Sequence, residues 1–378
     1  MSKAGTVLAV AVISALYAGV NVYVGRKLLV WLRLLFPDLN GTAFTIIYAC
    51  FALSFVTAIL PLPSSVKGIM SWTGSYWLGL FVYLLLFFLA TDLILFLGKL
   101  LKIIPVPTPL HVQFIAGLIV LLATAGFVSY GLYNANQIKH VSYDIRLNKS
   151  ADMKIVLISD LHLGAVNSEK RLSDMVKKIN ALQPDLVAMA GDIFNDDYHA
   201  IKDPERASEL LRSIQTKYGV YACLGNHDSG KTFDQMVGFL ERSNIKLLND
   251  DSVTIDDKLV LFGRVDPSPI GGFGGLSRKE IKNKIAAVNP ELPIVVMDHT
   301  PANLEQYGND VDLILSGHTH RGQIFPFNFV TNAIFEVDYG YYRRGDAGPH
   351  VIVTSGVGTW GMPMRVGSNS EIVSIHLH

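Results

Sequence analysis

Charge is distributed along this chain in two unequal parts, and that division limits the fold more than any motif does. From Met1 to Tyr133 only nine residues are charged (Lys3, Arg26, Lys27, Arg33, Asp38, Lys67, Asp92, Lys99 and Lys102), about 7% of the stretch. The other 245 residues carry 55 charges, about 22%, an ordinary value for a soluble domain. No Glu occurs before Glu169. One part is therefore expected to be membrane-embedded and the other not, which excludes a wholly soluble protein. Two cysteines, Cys50 and Cys223, one in each part, exclude a disulfide framework. A formal net charge of zero gives no footprint for nucleic acid.

Residues 1–133 contain four apolar runs, Thr6–Val24, Thr42–Leu60, Tyr76–Leu97 and His111–Tyr133, predicted to span the membrane as helices. Tyr17, Tyr23, Trp72, Tyr76, Trp77, Tyr130 and Tyr133 lie near the predicted ends, where aromatic belts form. The first run is long for a cleaved signal peptide, lacks a small-x-small cleavage site, and three more runs follow it. Arg26 to Phe36 reads as a basic amphipathic segment at the interface, or else as a continuation of the first helix. Asp92, inside the third run, is either functional or neutralised near the interface by protonation or by Lys99. The expected product is an integral, multi-pass protein of the cell membrane. Basic residues are balanced between the two sides, and only the Arg26–Lys27 pair after the first helix tips the charged half towards the extracytoplasmic face.

Residues 134–152 read as a polar linker and 153–378 as a second domain. Short β-branched runs at Lys154–Ser159, Asp185–Ala190, Val220–Leu224, Lys258–Phe262, Ile294–Met297, Asp312–Leu315, Val351–Thr354 and Glu371–His376 are expected strands. Helical spacing follows Ser168, a candidate N-cap, and recurs over Pro204–Lys217 and Thr232–Ser243. Strands alternating with helices make this an α/β domain of about 225 residues.

The chemistry-bearing residues sit where these strands end: Asp160-Leu-His162, Gly191-Asp192, Gly225-Asn226-His227-Asp228, Asp298-His299 and Gly317-His318-Thr-His320. Sites in open α/β sheets form at the carboxyl ends of strands. Five of the eleven histidines fall here. His111, His140, His199, His350, His376 and His378 do not, and read as surface, interface or tail residues. Carboxylate, imidazole and amide oxygen without thiolate suit Mn, Fe, Zn or Co. Alternate residues on an extended segment share a face, so Asp-x-His and His-x-His can each present two ligands together. A carboxylate such as Asp192 can bridge two ions, and two ions about 3.5–4 Å apart can clamp a phosphoryl group for in-line displacement. Any one of these motifs is weak alone; five in order at strand ends are not.

This ordered set (DLH, GD, GNHD, an isolated His, GHTH) resembles the calcineurin-like metallophosphoesterases over about Lys154 to His378. SGHTHRGQIFP and SGVGTWGMPMRVGS look like the family's bacterial membrane-associated branch. The resemblance implies two β-sheets packed face to face and flanked by helices, following the four-helix transmembrane region. It implies two divalent or trivalent metal ions, manganese first, with iron, zinc, cobalt or nickel as alternatives. One ion would be held by Asp160, His162, Asp192 and His320, the other by Asp192, Asn226, His299 and His318, with Asp192 bridging. His227 would stabilise the transition state or protonate the leaving oxygen, while Asp192 and Asn226 contribute to catalysis. Asp228 is expected to cap the following turn or orient its neighbours rather than ligate metal. Many relatives have Gly-Asp-x-x-Asp, whose last Asp orients that histidine. Here Asn195 takes the place, so either Asp196 substitutes or the acid role of His227 is weaker. Asp298, where relatives often have Gly, and Arg321, a second phosphate ligand or a surface charge, have open roles.

The expected function is a membrane-anchored phosphoesterase in which a metal-bridging hydroxide attacks a phosphodiester, pyrophosphate or phosphomonoester. Its partners are the lipid bilayer and a phosphorylated substrate. Four spans exceed what a tether needs, which points to a lipid-linked substrate; simple tethering of an enzyme for soluble phosphodiesters stays open. A non-catalytic metal-binding scaffold is the alternative, although no ligand is missing. A transporter with a regulatory domain has little support, since the spans hold one acidic residue and no paired polar pathway.

Overall fold

The computed structural model describes residues 3–57, 62–166, 169–345 and 348–378. The chain divides into two compact units, Met1–Tyr130 and Gly131–His378.

The first unit is built on helices α1 (Lys3–Leu35), α2 (Gly41–Thr57), α3 (Ser64–Leu100) and α4 (Leu110–Ala135). Three of them, over Leu8–Leu35, Val66–Leu100 and Leu110–Ala135, are long and apolar enough to cross a membrane. The fourth, α2, is shorter at 17 residues, about 25 Å at 1.5 Å per residue. The rest of its predicted run, 58–60, lies outside the described residues. Arg26 to Leu35 continues α1 and does not form a separate interfacial segment. Its Leu-rich run holds no Pro before Pro37, so nothing breaks the helix. Trp77, Phe81, Leu84 and Phe88 recur on one face of α3 and pack with Val24, Ala52 and Val120. Gly74 lets α2 and α3 touch: a Cβ there would lie 2.6 Å from the Phe55 Cα. Asp92 is paired with Lys27, not Lys99, and accepts a 2.8 Å hydrogen bond from the Tyr23 hydroxyl. Both partners lie on α1, a neighbour of α3.

In the second unit the continuous apolar runs become strands buried on both faces. In β2 (Met153–Ile158), Ile155 and Leu157 join the layer between two sheets, while Val156 and Ile158 lie under helices. The first sheet runs β1 (Ile138–Ile145), β12 (Ser370–Leu377), β2, β3 (Leu186–Ala190), β4 (Val220–Cys223), β5 (Ile245–Leu247). It is parallel except between β12 and β2. The second runs β10 (Gly340–Arg343), β11 (His350–Val353), β9 (Leu313–Ser316), β8 (Ile294–Met297), β7 (Leu259–Gly263), β6 (Asp251–Ile255). Its outermost pairs are antiparallel and the rest parallel. Helices α5 (Glu169–Leu182), α6 (Pro204–Arg212) and α7 (Phe233–Arg242) cover the first sheet. Helix α8 (Lys282–Ala286), with Leu304 and Tyr307, covers the second. A last short helix, α9 (Asn328–Ile334), follows β9.

Differences from expectation have local causes. Residues 134–152, read as a linker, contain β1, whose outer positions alternate with solvent and so look like a polar loop. Helix α6 stops five residues early because the Asn180 side chain accepts from Gln215 N (2.8 Å) and donates to Ser213 O (2.9 Å), drawing the chain off the helix axis. His350 is buried, not superficial, and bonds the Tyr341 hydroxyl at 2.9 Å. The candidate cap Ser168 lies outside the described residues.

Candidate metal centre

Each candidate side chain leaves the carboxyl end of a strand: Asp160 and His162 after β2, Asp192 after β3, Asn226 and His227 after β4, His299 after β8, His318 and His320 after β9. Turning so sharply at a strand end has a backbone cost. Asp160, His162, Asp192, His318 and His320 all have positive φ, between 46° and 70°, a conformation costing a non-glycine residue about 1–3 kcal/mol. Such strain persists only where surrounding structure holds it, and here it gathers on five of the seven expected ligands. Gly317 permits the close approach of the two sheets at this point, since a Cβ there would strike Ser159 and Asp160.

Two groups of three potential ligands result, Asp160–His162–His320 and Asp192–His299–His318. In the first, His162 Nε2 and His320 Nε2 lie 3.1 Å apart, with Asp160 Oδ1 3.3 Å from His320 Nε2 and 3.8 Å from His162 Nε2. In the second, His299 Nε2 is 3.1 Å from Asp192 Oδ2, and His318 Nδ1 is 3.0 Å from Asn226 Oδ1. The groups meet at one atom: Asp192 Oδ2 is also 3.7 Å from His162 Nε2. Asp160, His162, Asp192 and His299 are almost wholly buried.

Burial pulls the His162 imidazole down to about 3 and His318 to about 4, and takes His320 well below its usual value. Burial raises Asp160 to about 6. Burial opposes the charge on Asp192 too, but facing His299 holds it well below the carboxylate range, and Asp192 lifts His299 correspondingly despite that ring's own burial. Three neutral imidazoles with nitrogens turned inward, around buried carboxylates, form a donor set that a pair of cations satisfies and that protons satisfy poorly. The residues fit a two-metal centre.

His227 stands beside this cluster, its ring centroid 5.1 Å from that of His162. Its backbone N–H donates to Asp192 Oδ1 (2.9 Å) and its Nδ1 bonds Asp196 Oδ1 (2.7 Å). Asp196 therefore occupies the orienting position that Asn195 leaves vacant. A positive φ of 64° at Asp196, tolerable for Asp, swings its carboxylate round to the ring. The Asn195 amide oxygen is buried without a hydrogen bond among the described residues. Burial disfavours the imidazolium of His227, but the Asp196 hydrogen bond outweighs this and the pKa is raised. Asp228 accepts from Phe194 N (2.8 Å) and Gly225 N (2.9 Å), fixing the loop that carries Asn226 and His227.

The two other residues with open roles have partners within the domain. Asp298 receives a forked pair of hydrogen bonds from Arg278 (3.0 and 2.7 Å) and another from the Tyr307 hydroxyl (2.6 Å). The Arg321 guanidinium lies 4.4 Å from the centre of the Tyr339 ring. Sequence reasoning missed Arg365, a fully buried arginine behind His320. Its Nη2 donates to Ser355 O and Gly358 O (both 2.7 Å) and lies 3.3 Å from His320 Nδ1. Burial, reinforced by Arg171, pulls it down to about 9, which leaves it charged at neutral pH. Inside GMPMRVG it reads as a surface charge; the flanking glycine and methionines were the only hint.

A family model of calcineurin-like phosphoesterases matches residues 153–322. A metallophosphoesterase of Aquifex aeolicus is 31% identical over 232 residues, covering 61% of this chain and 87% of that protein. A Danio rerio transmembrane protein with metallophosphoesterase domain is 31% identical over 277 residues, covering 68% of this chain and 61% of its own. UDP-2,3-diacylglucosamine pyrophosphatase LpxG of Chlamydia trachomatis is 26% identical over 269 residues, covering 55% of this chain and 78% of that one. The chain spans 61% and 63% of the length of two of the curated relatives that it matches. With 31% identity across most of the Aquifex protein, and with the ordered ligand motifs gathered between two face-to-face sheets, this chain belongs to the calcineurin-like metallophosphoesterases, a family of phosphoric ester hydrolases.

Proposed function

We propose that the protein is a membrane-embedded, dinuclear metal-dependent hydrolase of a phosphodiester, pyrophosphate or phosphomonoester carried by a lipid or lipid-linked molecule. The observation that carries the reading is the meeting of two donor groups on Asp192 Oδ2. Asp160, His162, Asp192 and His320 would hold one ion, and Asp192, Asn226, His299 and His318 the other. When bound, the ions supply an activated water and positive charge for the phosphoryl oxygens.

The chain's own residues do the rest. Asp192 aligns both donor groups and, through the His227 N–H, the catalytic loop. His227, whose protonated form Asp196 favours, faces the cluster and donates a proton to the departing oxygen or a hydrogen bond to the phosphoryl group. Asn226 shares its side-chain oxygen with the second ligand set at 3.0 Å from His318. Burial excludes bulk water from the carboxylates, so their charges are screened less than they would be in water. The lipid assignment is supported by three helices long and apolar enough to span a membrane, and by likeness to LpxG, whose name records a lipid pyrophosphate. The extracytoplasmic side is the preferred location of the site. A Ser150→Cys variant labelled in intact cells by an impermeant maleimide supports it, and labelling only after lysis refutes it.

The full chain, purified in detergent and loaded with Mn²⁺, should hydrolyse a chromogenic phosphodiester, lose activity to a chelator and recover it on metal addition. No turnover of any phosphoester by protein holding two ions would overturn the proposal. The pH profile tests His227. Because its pKa is raised, the protonated form persists to higher pH, and activity that needs that proton falls as pH rises past it. Asp196→Asn removes the raising partner, so the alkaline limb of kcat/KM should move to lower pH. An unmoved limb would show that His227 does not act as the acid.

A further inference from the structure

The ligand cluster is flanked by two segments with no charged residue, the aromatic-rich Phe325 to Phe335 and Gly356 to Met364, which holds Trp360. The first contains α9, which faces outward: Phe329 is 65% exposed and Ile334 68%, with Phe325, Phe327 and Val330 exposed beside them. The second presents Trp360, 50% exposed. Scattered apolar side chains on a surface are ordinary, but a cluster of this size marks a contact site.

Both segments are fastened to the ligand loop. Thr331 of α9 donates to Asp338 Oδ2 (2.7 Å), and Thr319, the residue between His318 and His320, donates to Asp338 O (2.6 Å). Gln323 holds Trp360 through both ends of its amide, accepting from Trp360 N and donating to Trp360 O, each at 2.8 Å. At the inner edge Phe335 lies 5.8 Å from the His318 ring, and Trp360 lies 5.7 Å from the His227 ring.

We propose that this rim binds the hydrocarbon chain of the substrate, so that the protein selects phosphoesters with long alkyl or acyl groups. The proposal rests on the phosphoesterase reading and names what that site accepts. The two segments border the ligands on the His318 and His227 sides, within reach of the organic substituent of a phosphate seated there. Phe325 to Phe335 offers only Asn328, Thr331 and Asn332 as polar side chains, a poor lining for a sugar or nucleoside and a good one for methylenes. The same chain carries membrane-spanning helices, which places it where phosphoesters with hydrocarbon chains are abundant.

The test uses full-length protein in nanodiscs and methyl, butyl and octyl p-nitrophenyl phosphodiesters, each below its micellar concentration. For the wild type kcat/KM should rise by at least about twofold per methylene, roughly half the effect of complete burial. In Phe329→Ser and Ile334→Ser, both at exposed positions, the octyl-to-methyl ratio should fall at least tenfold. Taking a ratio cancels any general loss of folded enzyme. A flat chain-length series in the wild type, or an unchanged ratio in both variants, overturns the proposal. So does a deficit seen only with vesicle-embedded substrate, which assigns the rim to the bilayer, or a change of oligomeric state on light scattering with the ratio intact, which assigns it to a second copy. A wild type that hydrolyses not even the methyl ester removes the phosphoesterase reading itself.

Discussion

Asp192→Asn should reduce metal-dependent phosphoester hydrolysis by at least about 10²–10³-fold, the scale of losing one preorganised charge-stabilising group. The substitution keeps shape and removes charge. Asparagine can still accept from the His227 N–H, now at 2.9 Å, so the catalytic loop should stay in place. What it cannot do is supply an anionic oxygen to both donor groups, at 3.1 Å from His299 Nε2 and 3.7 Å from His162 Nε2. Elemental analysis should therefore show the variant losing at least one of two ions per chain while its circular dichroism is unchanged. A variant with both ions and full activity would end the bridging role of Asp192. One with both ions and no activity would separate metal holding from charge stabilisation.

Arg365→Met should be the most destabilising single change in the catalytic unit outside the hydrophobic core. Methionine fills much of the volume but leaves the carbonyls of Ser355 and Gly358 without the donors that now reach them at 2.7 Å. A buried polar group left unpaired costs about 1–3 kcal/mol, so about 2–6 kcal/mol is expected for the two. At about 2–4 °C per kcal/mol for a unit of this size, Tm should fall by roughly 4–24 °C. The guanidinium also lies 3.3 Å from His320 Nδ1. Freeing that ring should weaken metal binding about 10–100-fold, as loss of groups that orient ligands does. Arg365→Lys keeps the charge without the planar fork and should fall between. Thermal unfolding with metal titration separates the effects: a lowered Tm with unaltered metal affinity would confine Arg365 to a scaffolding role.

The candidate ligand cluster was legible because it depends on chain order. Each ligand motif follows a short β-branched run, and eight such runs became strands close to their expected limits. What escaped depends on backbone conformation or on distant partners. Nothing in Asn195-Asp196-Asp197 says which side chain reaches His227, since the outcome turns on a left-handed φ at Asp196. Asp92 lies seven residues from Lys99 in sequence, yet its partner Lys27 is on another helix. Strand β1 was hidden because its exposed positions are polar and its pairing partner lies at the far end of the sequence. Arg365 was hidden for a related reason: an arginine looks superficial until the carbonyls that receive it are in view.

Strand β12 lies between β1 and β2, yet follows every other strand of that sheet by more than a hundred residues. Translation therefore delivers β1 and β2 long before the strand that must sit between them. Until residues 370–377 emerge, β1 and β2 each present an edge with no neighbour on that side, open to the wrong partner. Assembly of the first sheet is thus a late event that waits for the whole domain to be made. A nonsense mutation at codon 370 would leave all seven expected ligands encoded and the sheet beneath three of the five ligand-bearing strand ends split in two.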